Sequence, residues 1–487
     1  MFKLTPIAVS LLLVSTASFA GGRTATITQL GDANTGGVTQ TGSDVGLNFA
    51  TGTIFQLGDG NSMQITQDTG TDLPTLLNAN STQVGTGNGG SITQTNTLGI
   101  DNALVVVEGD NNTSTIVQSG AVIGNGAGIF TVGGSQNSTA TINQSGVLAL
   151  NAAVITQVGT DGSNSSITQT GIAAINVAAI AEVGGNGTSS ADIMQSGTVV
   201  ANAAAIAQNN AINSSASVTQ GGSETANAGI IFQLNSDGDS ASINQGGFRG
   251  AKAGWVLQSN TQNGSGNINQ NTSGPGQLQV ATINQNNGQF MLADVSQTGA
   301  GAGLLNASVN QSNSYGVYAG VQQTGANLNA NVEQHYSAFD ASFINQNGEN
   351  MNAYTTQVGT ALAIAAIDQT GENNNAAILQ ALGVADIAAI DQSGSGHNAF
   401  IGQVLAGGNS AVIDQDGTNQ TAAVVQAGLL NASTVTQNGD GSLGLVAQFG
   451  NGNGVNTANI TQWGSNNFAA ELQVGGGNTA NIMQGNP

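Results

Sequence analysis

The sequence has 487 residues, only 6% of them charged, and its 26 acidic and 4 basic side chains give a formal net charge of −22. The basic residues are Lys3, Arg23, Arg249 and Lys252, too few for a protein that binds nucleic acid by neutralising phosphates. A composition with 72 glycines and abundant Asn, Gln, Ser and Thr is also not typical of an enzyme.

The N-terminus has the features of an export signal. Lys3 gives it a positive start, residues 7–14 form an apolar segment, and Ser-Phe-Ala at residues 18–20 makes a small-x-small cleavage site. The apolar segment is shorter than the roughly 20 residues of a membrane-spanning helix, so we expect no transmembrane anchor. The sequence therefore predicts a signal peptide over residues 1–20 and a secreted mature chain. This chain lacks cysteine, so its stability outside the cell must come from its repeats.

One unit recurs from about residue 25 to the C-terminus. It has a small residue, Ile or Val, Gln and Gly at alternate positions, then a polar turn, then the same alternation again. Clear copies are ATITQLGDANTGGVTQ (25–40), GTIFQLGDGNSMQITQ (52–67) and AAIDQTGENNNAAILQ (365–380). Alternation with period two predicts β-strands, with the glutamine and the preceding isoleucine facing the same side.

A single pair of such strands buries too little apolar surface to offset the entropy of ordering its backbone, so the repeats must stack. Stacked in register about 4.8 Å apart, each buried Gln amide can donate to the Gln of the next repeat. We therefore predict an all-β, amyloid-like β-solenoid of strand-arc-strand repeats. It is expected to be continuous over residues 21–487 and most regular from about residue 345 to 485.

The residues expected to form the hydrogen-bonded ladders are the anchor glutamines and the asparagines that follow some of them by five positions. They are Gln29, Gln40, Gln56, Gln67, Gln369, Asn374, Gln380, Gln392, Gln403, Gln415, Gln426, Gln437, Gln462, Asn467, Gln473, Asn478 and Gln484. The expected core isoleucines are Ile27, Ile54, Ile367, Ile378, Ile390 and Ile413.

Some copies depart from this pattern. Glu108, Thr131 and Glu182 are expected to replace Gln at three anchor positions. The asparagines of the ladder are expected to turn the arcs in a left-handed backbone conformation, which Asn and Gly tolerate.

The spacing Gln-x-Gly-x-x-Asn-x-Ala-x-x-x-Gln resembles the curlin repeat of the curli fibre subunits. It is present in full from Gln369 to Gln380, from Gln462 to Gln473 and from Gln473 to Gln484. The resemblance implies an enlarged member of that family: a β-solenoid that assembles end to end into extracellular amyloid fibres on Gram-negative bacteria, with roles in adhesion and biofilm matrix. It also implies partners, namely other copies of the chain, a nucleator, a secretion pore and periplasmic chaperones.

The two ends of such a stack determine the predicted function. Each end presents unpaired strand backbone, to which a second copy can add its own repeats. The sequence therefore favours polymerisation by templated addition along the stack axis. The alternative is a secreted or surface solenoid adhesin that does not polymerise, and a filament of purified mature chain would distinguish the two.

Asp368, Asp391 and Asp414 each precede an anchor glutamine at a spacing of one repeat. Stacked carboxylates could bind a divalent cation, but a like-charged stripe that limits sideways aggregation is the favoured interpretation. We predict no metal or cofactor site.

Enzymatic activity is not expected either. His335 and His397 lack a matching cluster of catalytic groups, and both are expected to be exposed turn residues. A polysaccharide-acting β-helix, an ice-binding threonine array and a disordered polar tract are less favoured alternatives. The recurrence of Ile or Val two residues before the anchor argues against disorder.

Overall fold

The computed structural model of the protein describes residues 22–42, 48–70, 74–185, 187–198, 200–299 and 301–485. The predicted signal peptide, residues 1–20, lies outside the described residues. The chain divides into two compact units, Met1–Gly247 and Phe248–Pro487. All regular elements in the described residues are β-strands, which confirms the all-β prediction. None of the described residues belongs to a helix that could cross a membrane.

Within each unit the chain winds in coils of two strand segments, called here the A-strand and the B-strand, joined by short arcs. In the coil that begins at Asn375, β26 (Asn375–Ala381) is the A-strand and β27 (Ile387–Ser395) is the B-strand. Equivalent segments of successive coils pair in parallel, as Gln369 does with Gln392. This is the predicted β-solenoid. Its predicted continuity over residues 21–487 stays a prediction.

In the first unit the A-strands and B-strands alternate along the chain, except that β6 and β7 each contain a B-segment followed by an A-segment. The strands are β1 (Gly22–Leu30), β2 (Thr35–Thr41), β3 (Asn48–Leu57), β4 (Ser62–Asp68), β5 (Thr75–Val84), β6 (Gly89–Asp110), β7 (Thr113–Gln136), β8 (Thr139–Ser145), β9 (Leu150–Val158), β10 (Asn164–Gln169), β11 (Ile175–Val183), β12 (Ser190–Gln195), β13 (Ala201–Asn209), β14 (Ser215–Gln220) and β15 (Ser223–Leu234).

The boundary between the units lies within β16 (Ser240–Gln262). In the second unit β30 and β31 each contain an A-segment followed by a B-segment. Besides β26 and β27, its strands are β17 (Ser265–Thr272), β18 (Gln277–Gln289), β19 (Leu292–Gly299), β20 (Gly303–Ser312), β21 (Tyr318–Ala326), β22 (Leu328–His335), β23 (Ala341–Glu349), β24 (Asn352–Val358), β25 (Ile364–Glu372), β28 (Asn398–Gly407), β29 (Ser410–Thr418), β30 (Thr421–Asp440), β31 (Leu443–Ser465), β32 (Phe468–Gly475) and β33 (Thr479–Gln484).

The core of each unit lies between the inward faces of the A-strands and B-strands. Strand residues alternate between buried and exposed, so that Ala, Ile or Val, and Gln from each segment face inward. Five of the expected core isoleucines are at most 2% exposed: Ile54, Ile367, Ile378, Ile390 and Ile413. Ile27 is half-buried because it lies in the first coil, which has a neighbour on one side only within the described residues. Each fully buried isoleucine contributes roughly 2 kcal/mol of apolar burial.

Glycines and prolines mark the arcs. Gly371 ends the inward alternation of β25 with φ of 115°, and a Cβ at this position would lie 2.0 Å from the carbonyl oxygen of Gly394 in the next coil. Pro74 and Pro275 both lie between strands, since proline cannot donate a ladder hydrogen bond. Close backbone stacking at this arc position therefore requires glycine, whereas proline is tolerated only in arcs outside the hydrogen-bonded strands.

Candidate functional site

The buried anchor glutamines of the second unit form two continuous ladders, called ladder A and ladder B after their strands. In ladder B, Gln369 Nε2 donates to Gln392 Oε1 at 2.7 Å, and Gln392 Nε2 donates to Gln415 Oε1 at 2.8 Å. The second N–H of Gln392 donates to the carbonyl of Asn375 at 3.1 Å. Each amide is therefore satisfied by the coil before it, the coil after it and the facing strand.

The structure places every expected glutamine of this unit in one of the two ladders. Gln369, Gln392, Gln415, Gln437, Gln462 and Gln484 lie in ladder B, and Gln380, Gln403, Gln426 and Gln473 lie in ladder A. Every bond points the same way, because the amide nitrogen of each coil donates to the amide oxygen of the coil that follows it in the chain.

In the first unit ladder B is likewise continuous, and it includes the expected Gln40 and Gln67. Ladder A begins with Gln29 and Gln56 and reaches Gln83. It is then interrupted, because the residue paired with Gln83 is Val107. The expectation that Glu108 replaces the anchor glutamine is therefore wrong by one residue.

The strand alternation itself puts Val107 at the anchor, since Ala103, Val105 and Val107 are buried in turn and Glu108 is exposed. The register between β6 and β7 changes after Asn96, after Leu98 and after Val107. Thr131, by contrast, does occupy the anchor position, and its hydroxyl hydrogen-bonds Gln157 at 3.2 Å.

Glu182 also occupies an anchor position of ladder A, between Gln157 and Gln208. Gln157 Nε2 donates to Glu182 Oε2 at 3.0 Å. Glu182 Oε1 and Gln208 Oε1 are both buried without a hydrogen-bond partner. Burial raises the pKa of Glu182 above its ordinary value, although the bond from Gln157 acts in the opposite direction. The ladder is therefore broken at this point unless the carboxyl carries a proton.

The asparagines expected in the ladders do lie in the arcs, but they do not turn them. Asn374 is buried, its Oδ1 accepts the backbone N–H of His397, and its Nδ2 donates to the carbonyls of Thr370 and Gly394. The left-handed residue is its predecessor Asn373, with φ of 58°. The expectation of left-handed turn asparagines is therefore wrong at this position.

The other asparagines of this set serve the same purpose as Asn374. The amides of Asn467 and Asn478 donate to the carbonyls of Trp463 and Val474, four residues earlier in each case. None of the three has a positive φ. Their role is to satisfy arc carbonyls and, for Asn374 and Asn478, to join neighbouring coils.

His397 occupies the position of Asn374 one coil later, and the expectation of an exposed turn residue is wrong for it. The side chain is fully buried. Its Nδ1 accepts the backbone N–H of Gln420 at 3.4 Å, and its Nε2 donates to the carbonyl of Ser393 at 3.0 Å. Burial lowers the pKa of His397, and the bond to Ser393 partly offsets this. The imidazole is thus a neutral substitute for an arc amide.

His335 is half-buried at the end of β22, where its Nδ1 hydrogen-bonds the hydroxyl of Ser312. Neither histidine lies in a cluster with the acidic residues. Across the described ranges, no group of three or more His, Asp and Glu side chains is arranged to hold a metal ion.

The acidic residues that precede three anchors do stack. Asp368, Asp391 and Asp414 are paired in register on the outer face of the B-strands. Burial raises the pKa of Asp391, and the carboxylates of Asp368, Asp414 and Asp416 raise it further. On the coil before Asp368 the same position is occupied by Asn345, whose Nδ2 donates to Asp368 Oδ1 at 3.0 Å. The column of aspartates is therefore flanked at this end by an uncharged amide.

The end coils present complementary groups. At the first coil, β1 and β2 pair on one side only within the described residues, and neither Gln29 Oε1 nor Gln40 Oε1 has a donor there. At the last coil, Gln473 and Gln484 each use one N–H for a backbone carbonyl and keep the second for a further coil. The first coil thus presents amide acceptors, and the last presents amide donors.

Glu471 is a residue of the last coil that the sequence interpretation missed. It pairs in register with Val446 and so takes the inward position two residues before Gln473. Both of its carboxyl oxygens are buried without a hydrogen-bond partner. The sequence does contain a signal for this residue. Two residues before the anchor Gln473 this copy has Glu, whereas most copies have Ile or Val at that position.

Comparison with known proteins agrees with this architecture. The family model of the curlin associated repeat matches residues 388–417, which include most of β27, all of β28 and most of β29. No curated protein matches the chain. The match covers one repeat of the chain and supports its similarity to the curlin-repeat family. Both the repeat and the solenoid fit an extracellular structural protein, and this family and fold are structural rather than catalytic.

Proposed function

We propose that this curlin-repeat protein polymerises end to end into extracellular, curli-like amyloid fibres. The observation that carries the proposal is the complementarity of the end coils. The acceptors Gln29 Oε1 and Gln40 Oε1 at one end match the free donors of Gln473 and Gln484 at the other. At both ends the ladder amides donate toward the coil that follows in the chain, so a second copy can continue both ladders only in the same orientation.

The register of the coils defines the junction. With the first coil of one copy placed on the last coil of another, Gln29 continues ladder A after Gln473, and Gln40 continues ladder B after Gln484. Val38 then covers Ile482, which lies two residues before Gln484. The backbone of β1 and β2 extends the parallel pairing of β32 and β33. Addition requires no covalent chemistry and no cofactor, because it repeats the contacts already made inside the chain.

The cellular role follows from this proposal. The predicted signal peptide over residues 1–20 would direct the chain out of the cytoplasm, and the fibre would act at the cell surface in adhesion and as biofilm matrix. Its partners would be further copies, a nucleator, a secretion pore and periplasmic chaperones. The acidic stripe along Asp368, Asp391 and Asp414 supports a role for charge in keeping neighbouring fibres apart.

The experiment that tests the proposal uses the purified mature chain, residues 21–487, kept at neutral and mildly acidic pH. We expect unbranched filaments by electron microscopy and a 4.7–4.8 Å meridional reflection by fibre diffraction. Monomers that stay folded at high concentration, without filaments, would contradict polymerisation and favour the solitary adhesin.

A matched pair of variants localises the junction. Ile27→Asp with Val38→Asp places carboxylates on the inward face of the first coil, where a second copy would bury them. Thr26→Asp with Thr39→Asp adds the same charge on the outward face of the same coil, where both threonines are exposed. We expect the inward variant to stay monomeric and the outward variant to form filaments. Equal assembly of the two would place the junction elsewhere.

A further inference from the structure

The last coil carries an ionisable group at the position where all other A-strands of its unit have an uncharged residue. Glu471 follows Val424 and Val446 in the inward column. Both of its carboxyl oxygens are buried and lack a hydrogen-bond partner, although the residue has no coil above it within the described residues. Burial raises the pKa of Glu471 to about 7.

No charge near Glu471 compensates it. The strands packed against β32 are β31 and β33, and neither contains a titratable side chain. In an incoming copy, β1 would place Ile27 directly over Glu471, and β2 has no charged residue. The nearest charged group of that copy on these strands is Arg23, roughly 13 Å further along β1, and its guanidinium donates to the carbonyl of Gly42.

We infer that Glu471 makes end-to-end addition of a second copy dependent on protonation of its carboxyl group. This inference rests on the proposed function and specifies how the junction is regulated. An ionised carboxylate covered by Ile27 would be buried with neither a counter-charge nor a hydrogen-bond donor, a state that proteins avoid by taking up a proton. Every junction joins one last coil to one first coil, so the requirement holds for growth at either end of a fibre.

The direction of the pH dependence follows from the coupling between proton binding at Glu471 and addition of a second copy. Covering Glu471 favours the protonated form, so addition binds up to one proton per copy. Below pH 7 most last coils are already protonated, and pH then has little influence through this residue. Above pH 7 the competent fraction falls about tenfold per pH unit.

The test measures seeded elongation of the mature chain from pH 5.5 to pH 9 with four sequences. The wild type is compared with Glu471→Gln, which keeps the shape of the protonated acid, and with Glu372→Gln, which removes one negative charge from an exposed arc position. Glu471→Val is a second variant that introduces the residue found at the same position of the preceding coil, Val446. Circular dichroism shows whether either substitution disturbs folding.

We expect the wild type and Glu372→Gln to elongate at least 10-fold more slowly at pH 8.5 than at pH 6. We expect Glu471→Gln and Glu471→Val to elongate at similar rates at both pH values. A wild type whose rate does not fall, or position 471 variants that slow as the wild type does, would overturn this inference and leave the proposed function standing. Absence of filaments from all four chains at every pH would overturn the proposed function, and this inference with it.

Discussion

Glu182 is paired in register with Gln208 of the next coil, and the facing oxygens, Glu182 Oε1 and Gln208 Oε1, are both buried without a donor. Every neighbouring glutamine of ladder B in this unit is joined to the next coil. A single oxygen in place of an amide nitrogen therefore interrupts ladder A between Gln157 and Gln208, whereas ladder B continues past the same coils.

The first prediction is that Glu182→Gln stabilises the first unit at pH 7. The new amide would donate to Gln208 and keep the bond from Gln157, with a gain of about 1–3 kcal/mol from groups that are now unsatisfied. Because the folded state raises the pKa of Glu182, the contribution of this residue to stability is complete at low pH and is lost as pH rises through that pKa. The gain should therefore shrink in acid.

Amide hydrogen exchange of β11 and β13 at pH 5 and pH 8 measures this effect locally, which suits a repeat protein whose coils can open separately. Glu349→Gln, at an exposed arc position, is the control for loss of one charge. Equal protection of the wild type and Glu182→Gln at pH 8 would show that the carboxyl is satisfied by another route.

The second prediction concerns an intact position of ladder B. Gln392→Leu keeps the volume but removes the acceptor for Gln369 and the donors to Gln415 and Asn375. We expect a loss of about 2–5 kcal/mol in the local stability of β25 and β29, since buried partners are left unpaired. Ser393→Ala, at the next and exposed position, should cost less than about 0.5 kcal/mol. Hydrogen exchange and a thermal melt compare the two, and equal losses would argue that the ladder contributes no stability.

The solenoid could be predicted from the sequence because its determinants are local. Alternation of Ile367, Gln369 and Gly371 specifies a strand with one buried face, and recurrence of the pattern requires stacking. The side-chain bonds that follow, such as Gln369 to Gln392, need no further information once the coils are in register.

The details that escaped prediction depend on the arcs, whose length and backbone path vary from coil to coil. The anchor at Val107 is an exception, because the buried alternation of Ala103, Val105 and Val107 places it there and leaves Glu108 exposed. In the arc after β25, Asn373 takes the left-handed conformation and leaves Asn374 to bond the next coil. This outcome is not encoded in the alternation of the strands, since it follows from which arc carbonyls need a donor.

The third prediction tests the stacking of glycine on glycine in the arcs. Gly371→Ala would place a methyl group 2.0 Å from the carbonyl oxygen of Gly394, at a φ of 115° that residues with a side chain rarely adopt. The backbone strain alone costs about 1–3 kcal/mol, and relief of the clash should separate β25 from β27. Gly89→Ala is the control, because its φ is not positive and the nearest atom to a new Cβ, the hydroxyl of Thr113, is 3.9 Å away. A melting temperature lowered equally by both would contradict this account.

The fourth prediction uses His397 as an internal pH sensor of the second unit. Its Nδ1 accepts the backbone N–H of Gln420. Protonation of Nδ1 would remove this hydrogen bond and place two N–H groups face to face. The folded state lowers the pKa of His397, which means that the folded chain binds fewer protons than the unfolded chain. Stability is therefore complete above the ordinary histidine pKa of about 6.5 and falls by up to about 1.4 kcal/mol for each pH unit below it.

His397→Asn should remove this acid sensitivity, because an asparagine can accept from Gln420 and donate to an arc carbonyl without titrating, as Asn374 does one coil earlier. Hydrogen exchange of β27 and β28 between pH 4.5 and pH 8 measures the difference, with His335→Asn as the control for loss of the other histidine. The wild type and the control should lose protection in parallel as pH falls, while His397→Asn keeps it. Parallel loss in all three would show that His397 is not the source of the acid sensitivity, and the outer stripe would not explain it either, because the raised pKa values of Asp391 and Asp414 favour the folded state in acid.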